Sequence, residues 1–142
     1  MLVESIMNTN VVTVTRDHTV LAAARLMREE NVGSVVVVDD HGRPIGMLTD
    51  RDIAIDLVAE GGSADTPIDE IMSTPVYAVP ENTLIFDLLR EMSRRKVHRV
   101  PVIDHEKRMI GICSVDDALL LLTTELVNVA DVMGHRTRVL DE

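Results

Sequence analysis

Apolar residues in this chain keep to two spacings, and each spacing occurs twice. Val20, Ala23, Ala24 and Met27 stand at i, i+3, i+4 and i+7, and so do Ile85, Leu88, Leu89 and Met92. That spacing lays one apolar stripe along a short helix. An unbroken apolar run follows each stripe, Val35 to Val38 in one case and Val100 to Ile103 in the other. The runs are short and β-branched, which predicts strands covered on both faces. A polar turn comes next, DDHGR or DHEKR, and then a second strand, PIGML or MIGIC. Each second strand leads to an acidic helix start, TDRD or SVDD. Helices are expected from Asp52 to about Ala59 and from Asp117 to about Val127.

The pairing is an internal repeat. A shift of 65 residues aligns the two halves without a gap. Ile6-Met7 falls on Ile71-Met72, Val35 on Val100, Asp39 on Asp104, Ile45-Gly46 on Ile110-Gly111 and Asp52 on Asp117. Each half reads as a βαββα unit, too small to be comfortable alone. Two such units can bury their sheets against each other about a pseudo-two-fold axis, which predicts one α/β (α+β) domain. The expected boundaries are repeat one at 1–60, a turn-rich linker at 61–67, repeat two at 68–127 and a tail at 128–142. In the tail, Ala130-Asp131-Val132-Met133 echoes the start of each repeat. That echo fits the vestige of a third repeat or a helix docked on the module.

Composition narrows the chemistry. With 46% apolar residues but one Phe, one Tyr and no Trp, the core must be aliphatic. Base stacking on aromatic platforms is largely closed off. The formal charge of −10 argues against a broad phosphate-binding face for nucleic acid. Cys113 is the only cysteine, so no internal disulfide can form, and no Cys/His cluster has zinc spacing. The N-terminus lacks a basic start and an apolar h-region, and no apolar run has the length of a membrane span. A soluble, cytoplasmic protein is the expectation.

Against that acidic background, five of the 14 Lys and Arg residues lie between Arg90 and Arg99. Arg94, Arg95 and Lys96 fit a helix C-terminus, where cations complement the macrodipole. His98 and Arg99 stand just before a strand and supply donors for phosphate oxygens. The second constellation is G-h-h-[ST]-x-x-D, with h apolar, at Gly46 to Asp52 and again at Gly111 to Asp117. Thr49 or Ser114 can cap a helix or meet an anion at its start. Asp52 or Asp117 can accept from the N-cap or from vicinal hydroxyls such as those of ribose. The same pattern is also an ordinary capping box; its recurrence behind a strand-end glycine favours a ligand. If neighbouring strand ends converge, His98 and Arg99 reach toward Ser114 and Asp117. Gly33 and Ser34 hold the matching places in the first half, beside Thr49 and Asp52, with Arg51 a possible substitute donor. Two unequal clefts are expected, the more phosphate-rich ligand going to the one with His98 and Arg99.

These residues resemble tandem cystathionine-β-synthase (CBS) domains, a Bateman module, over about residues 3 to 124. The marks are the IM-x-[TS] openings, helices ending in Met27 and Met92, HRVPVID, and the GMLTDRD and GICSVDD motifs. Val36 stands where the second repeat has the Pro of VPV. The resemblance implies a regulatory module that binds AMP, ADP, ATP or S-adenosylmethionine between the repeats and signals to a partner of unknown identity. It requires no cofactor and no metal. It implies ribose on Asp52 and Asp117, ribose or phosphate on Thr49 and Ser114, and phosphate on His98 and Arg99. Adenine would rest on the opposite repeat, against Val12 and Val32 in one cleft and Tyr77 and Val97 in the other. It also implies a homodimer through helices, with the Leu119 to Leu122 run and the helices of Val20 and Ile85 as candidates; core burial explains the Leu run equally well.

No Ser/His/Asp arrangement or activated nucleophile is present, so no catalysis is expected. His18, His41, His105 and His135 fall in turns or the tail and read as solvated, and Cys113 reads as a small buried hydrophobe. The alternative is a dimerising scaffold that binds no nucleotide.

Overall fold

The computed structural model describes residues 1–134. His135 and the rest of the tail lie outside the described residues. Each repeat is a three-stranded sheet with helices, in the predicted βαββα order. The first comprises β1 (Thr13–Thr15), α1 (Val20–Glu30), β2 (Ser34–Val38) and β3 (Pro44–Thr49), then the short helix α2 (Asp50–Asp52), which runs into a π-helix at Ile53–Val58. The second comprises β4 (Val79–Pro80), α3 (Ile85–Arg95), β5 (Arg99–Ile103), β6 (Met109–Ser114) and α4 (Val115–Val132). In both sheets the middle strand is the one after the first helix, parallel to the strand before that helix and antiparallel to the strand after it.

Two helix ends depart from expectation. The first terminal helix begins at Asp50 and changes to π-helix after one turn, and Gly62 N–H closes on Leu57 C=O at 2.8 Å. Gly61, at φ +73°, supplies the left-handed step that ends it. The other runs from Val115 to Val132, five residues past the expected end, because neither glycine nor proline interrupts it before Gly134. The echo at Ala130 to Val132 is thus part of α4.

The middle strands are covered on both faces, as predicted. Val35 and Val37 point into one core with Val14, Ala23, Met27 and Leu48, and Val36 is buried on the opposite face. Val100 and Val102 match them in a second core with Val79, Leu88, Met92 and Cys113, with Pro101 buried on the opposite face. The Val36/Pro101 difference has a local consequence. Val36 N–H donates to Val12 C=O at 3.1 Å, extending β1's pairing. Pro101 has no N–H to donate, and β4 is only two residues long.

The repeats exchange their leading segments. Val3, fully buried, packs in the core of the second repeat, and Ile68, also fully buried, packs in the core of the first. These two positions are 65 residues apart, so the exchange is reciprocal. Backbone bonds secure it: Val3 N–H to Thr83 C=O at 2.9 Å, Ile68 N–H to His18 C=O at 2.9 Å. The motif glycines belong to this exchange. A Cβ on Gly46 would lie 2.6 Å from Met72 Sδ, and one on Gly111 would lie 2.7 Å from Met7 Sδ. The IM pair that opens each repeat packs on the glycine of the other.

Candidate functional site

Two clefts lie between the repeats, of about 240 and 300 Å³. Such volumes are near the lower end of small-molecule sites. The first is lined by Thr49 and Asp52 from repeat one and by Tyr77, Val97, His98 and Arg99 from repeat two. The second is lined by Ser114 and Asp117 from repeat two and by Val12, Val32 and Gly33 from repeat one, with Arg99 again. Every residue assigned a ligand contact by the resemblance therefore lines a cleft. Each helix-start carboxylate faces an apolar wall from the other repeat.

The expected grouping needs correction at His98 and Arg51. His98 lines the cleft of Thr49 and Asp52, not that of Ser114 and Asp117. The reason is strand direction. β5 and β6 run antiparallel, with Arg99 opposite Ser114, so Arg99 stays near its own helix start. His98 uses its C=O to accept Val115 N–H at 2.9 Å, and its side chain lines the cleft closed by the other repeat. Arg51 is exposed and lines neither cleft.

Both helix starts are capping boxes. Asp52 N–H donates to Thr49 Oγ1 at 3.1 Å while Thr49 N–H donates to Asp52 Oδ2 at 2.9 Å. Asp117 N–H donates to Ser114 Oγ at 3.1 Å, and Asp117 Oδ2 accepts from Ser114 N–H at 3.1 Å and Ser114 Oγ at 2.8 Å. The capping role and a ligand role are compatible. The cap uses Oδ2, and Oδ1 of each half-buried carboxylate has no hydrogen-bond partner among the described residues. The cap fixes the carboxylate rotamer in advance, which lowers the cost of presenting that oxygen.

The basic cluster divides by position. Arg94 and Arg95 close on Glu91 at 2.7 and 3.2 Å, in the last turn of α3 as expected. Those bonds, Arg94's first, hold the Glu91 carboxyl below its ordinary range. Arg95 also lies over the Tyr77 ring, 3.9 Å from its centroid, so one face of that ring is already covered. Arg99 and the His98 ring have no ion pair or side-chain hydrogen bond among the described residues. Cys113 is fully buried in β6. Burial first, then the charge of Asp117, pushes its thiol up to about 11.

Sequence reading places Ser34 beside Thr49 and Asp52 but does not reach Met47 in the first cleft or Asn8, Asn10 and Asn31 in the second. The repeat offset carried a signal for some of them. Asn8 and Asn10 fall on Ser73 and Pro75, which line the first cleft. Among the described residues, no group of three or more His, Cys, Asp or Glu is placed to hold a metal, and no helix is long and apolar enough to cross a membrane.

Comparison with known proteins identifies the fold and the family. The CBS domain family matches residues 3–58 and again residues 68–124. The CBS domain-containing protein YhcV of Bacillus subtilis is 37% identical over 115 residues, 81% of each chain. Hypoxic Response Protein I, solved with two coordinated zinc ions, is 36% identical with a TM-score of 0.77, over 84% of this chain and 98% of that one. The CBS domain pair of protein MJ0100, solved in complex with 5′-methylthioadenosine and S-adenosyl-L-methionine, is 27% identical with a TM-score of 0.79, over 88% and 98%. With two family matches joined by an exchange of leading segments, the chain belongs to the CBS domain family, as a tandem pair.

Proposed function

We propose that the chain is a regulatory module that senses an adenosine-containing ligand in the clefts between its repeats and passes occupancy to a protein partner. The carrying observation is that each cleft joins a pre-oriented helix-start carboxylate to an apolar wall from the opposite repeat. Asp52 and Asp117 take the ribose hydroxyls through Oδ1. Tyr77 and Val97 in one cleft, and Val12 and Val32 in the other, take the adenine face. Thr49 and Ser114 contact ribose or phosphate, and His98 and Arg99 take phosphate. AMP, ADP, ATP and S-adenosylmethionine are the candidate ligands, and the adenosyl compounds held by the related MJ0100 pair support that class. The module acts by binding in the cytoplasm, with no reaction of its own and no cofactor. Because each ligand bridges both repeats, it favours one relative placement of them, and a partner reads that placement.

Thermal shift of the full chain against these four compounds tests the reading. A ligand at a hundredfold excess over its dissociation constant adds about 2.7 kcal/mol to native stability. The rise should fall away in Asp52→Asn or Asp117→Asn, which keep a capping oxygen and remove the charge. No rise with any compound, on protein free of carried-over ligand, sinks it.

A dimerising scaffold is the second reading, and one feature of α4 favours self-association. Leu119, Leu122, Leu126 and Val129 follow a three-four spacing, and Leu119 and Leu126 are 62% and 68% exposed. That is the seam by which a helix packs on a copy of itself. Val20 and Ile85 are themselves buried and take no part in such a seam, while Phe86 beside Ile85 on α3 is 67% exposed. Under this reading the chain is a homodimer whose melting temperature ignores nucleotides.

A further inference from the structure

Arg99 and Ser34 are the first residues of β5 and β2 and occupy equivalent positions in the two repeats. Each of them lines both clefts. The inner ends of the clefts therefore meet at the pseudo-two-fold axis, and only one of the two side chains there carries charge. We infer that the clefts share Arg99 as a single phosphate-binding cation, so the module takes one phosphate-bearing nucleoside and one phosphate-free nucleoside rather than two nucleotides. This rests on the adenosyl reading given above and assigns a ligand class to each cleft.

The assignment of clefts follows from the neighbouring positions. Beside Arg99, the cleft of Thr49 and Asp52 holds His98, a second donor for phosphate oxygens. The equivalent position in the other cleft is Gly33, which brings no side chain. A carboxylate lies beside that glycine, outside the residues that line the cleft. Asp50 Oδ2 lies 3.2 Å from where a Cβ on Gly33 would be, and the equivalent of Asp50 in repeat two is Val115. One cleft thus pairs its shared arginine with an imidazole, and the other pairs it with three neutral Asn side chains. Phosphate in the first cleft draws Arg99 toward it and leaves the second with Asp117 as its remaining charged lining residue. A second phosphate would enter against that carboxylate and against the first phosphate, with no cation left to meet it.

The test is calorimetry on the full chain with ADP and with adenosine. Wild type should bind one ADP, and ADP-saturated protein should still bind one adenosine. Arg99→Ala should weaken ADP tenfold or more and adenosine less than threefold. Ser34→Arg, which supplies a second cation at the axis, should raise the ADP stoichiometry to two. Two ADP per wild-type chain within threefold of each other would overturn the inference and leave the adenosyl reading standing. So would loss of adenosine binding on saturation with ADP, equal loss of ADP and adenosine in Arg99→Ala, or a Ser34→Arg chain that still takes one ADP. If neither compound binds, this inference falls, and the adenosyl reading falls with it only when AMP, ATP and S-adenosylmethionine also fail to bind.

Discussion

Repeat one and repeat two use the same scaffold and differ where that scaffold faces the axis between them. Their strand registers match residue for residue: Ser34 opposite Thr49 answers Arg99 opposite Ser114, and Val37 opposite Gly46 answers Val102 opposite Gly111. Both helix starts are capping boxes, and both leading segments cross to the other core. Among the differences are Gly33 for His98, Ser34 for Arg99 and Asp50 for Val115, all near the clefts, and Leu48 for Cys113 and Gly42 for Lys107 away from them. Doubling a scaffold gives two clefts built from equivalent elements. Changing a few side chains at their rims is enough to give them different chemistry.

The comparison breaks most severely where the repeats depend on each other. Ile68 is fully buried in the core of repeat one, although it belongs to the segment that opens repeat two. Ile68→Ala should cost about 2–5 kcal/mol by lost burial and a residual cavity. Val3→Ala, the equivalent change, should cost less, because valine has one methylene fewer and a methylene is worth about 1 kcal/mol in a packed core. Urea denaturation should show a single transition for both variants. Two separated transitions would mean the repeats fold independently and the exchange does not couple them.

A chemical difference inside the cores sharpens the comparison next. Leu48 and Cys113 are equivalent and both fully buried, but only the thiol titrates. Its proton is held up to about pH 11, against an ordinary value of 9.0. Below 9.0 the thiol is neutral in both the folded and the unfolded chain, and its contribution to stability is complete. Between 9.0 and about 11 the unfolded chain ionises while the folded one does not, so stability falls as pH rises. The slope attributable to this group is at most about 1.4 kcal/mol per pH unit. A Cys113→Val variant should lose that component, seen as a shallower fall in the urea midpoint over the same window. Equal slopes for wild type and variant would show that the thiol is not protected as its burial implies.

How much of this was legible from residues alone depends on the range of the interaction. The repeat, the strand order within each unit and the hydroxyl–carboxylate pairs are local patterns, and all are found where periodicity and spacing put them. The exchange of Val3 and Ile68 was not legible, because apolar spacing says that a residue is buried and not which core buries it. The placement of His98 failed for a related reason. Its cleft is set by how two sheets face each other, whereas the expectation considered only its nearest strand. Arg99 shows the same limit, since a side chain at the axis serves both clefts and no single repeat reveals that. The end of α4 was missed because nothing in the residues after Val127 distinguishes a helix that stops from one that runs on to Gly134.

The smallest effect lies in the hairpin turns, which the repeats build alike with different residues. Asp39 Oδ1 accepts from His41 and Arg43 N–H, each at 2.9 Å, and Asp104 Oδ1 accepts from Glu106 and Arg108 N–H, each at 2.9 Å. The residue between needs a left-handed backbone: Gly42 at φ +77° in one turn and Lys107 at φ +66° in the other. A side chain in that region costs about 1–2 kcal/mol. Glycine avoids the cost but adds freedom to the unfolded chain, worth about 0.4–1 kcal/mol. Lys107→Gly should therefore stabilise by roughly half a kcal/mol, the difference of those two terms. Gly42→Lys should destabilise by a similar amount. If the two turns are equivalent, urea midpoints for the pair of swaps will move in opposite directions by equal steps, and the double variant will match wild type. An asymmetry that would spoil the cancellation is the bond from Met109 N–H to Gly42 C=O at 2.9 Å, which ties the first turn to the second repeat. A Gly42→Lys loss larger than the Lys107→Gly gain would locate that excess in the contact between the repeats and not in either turn.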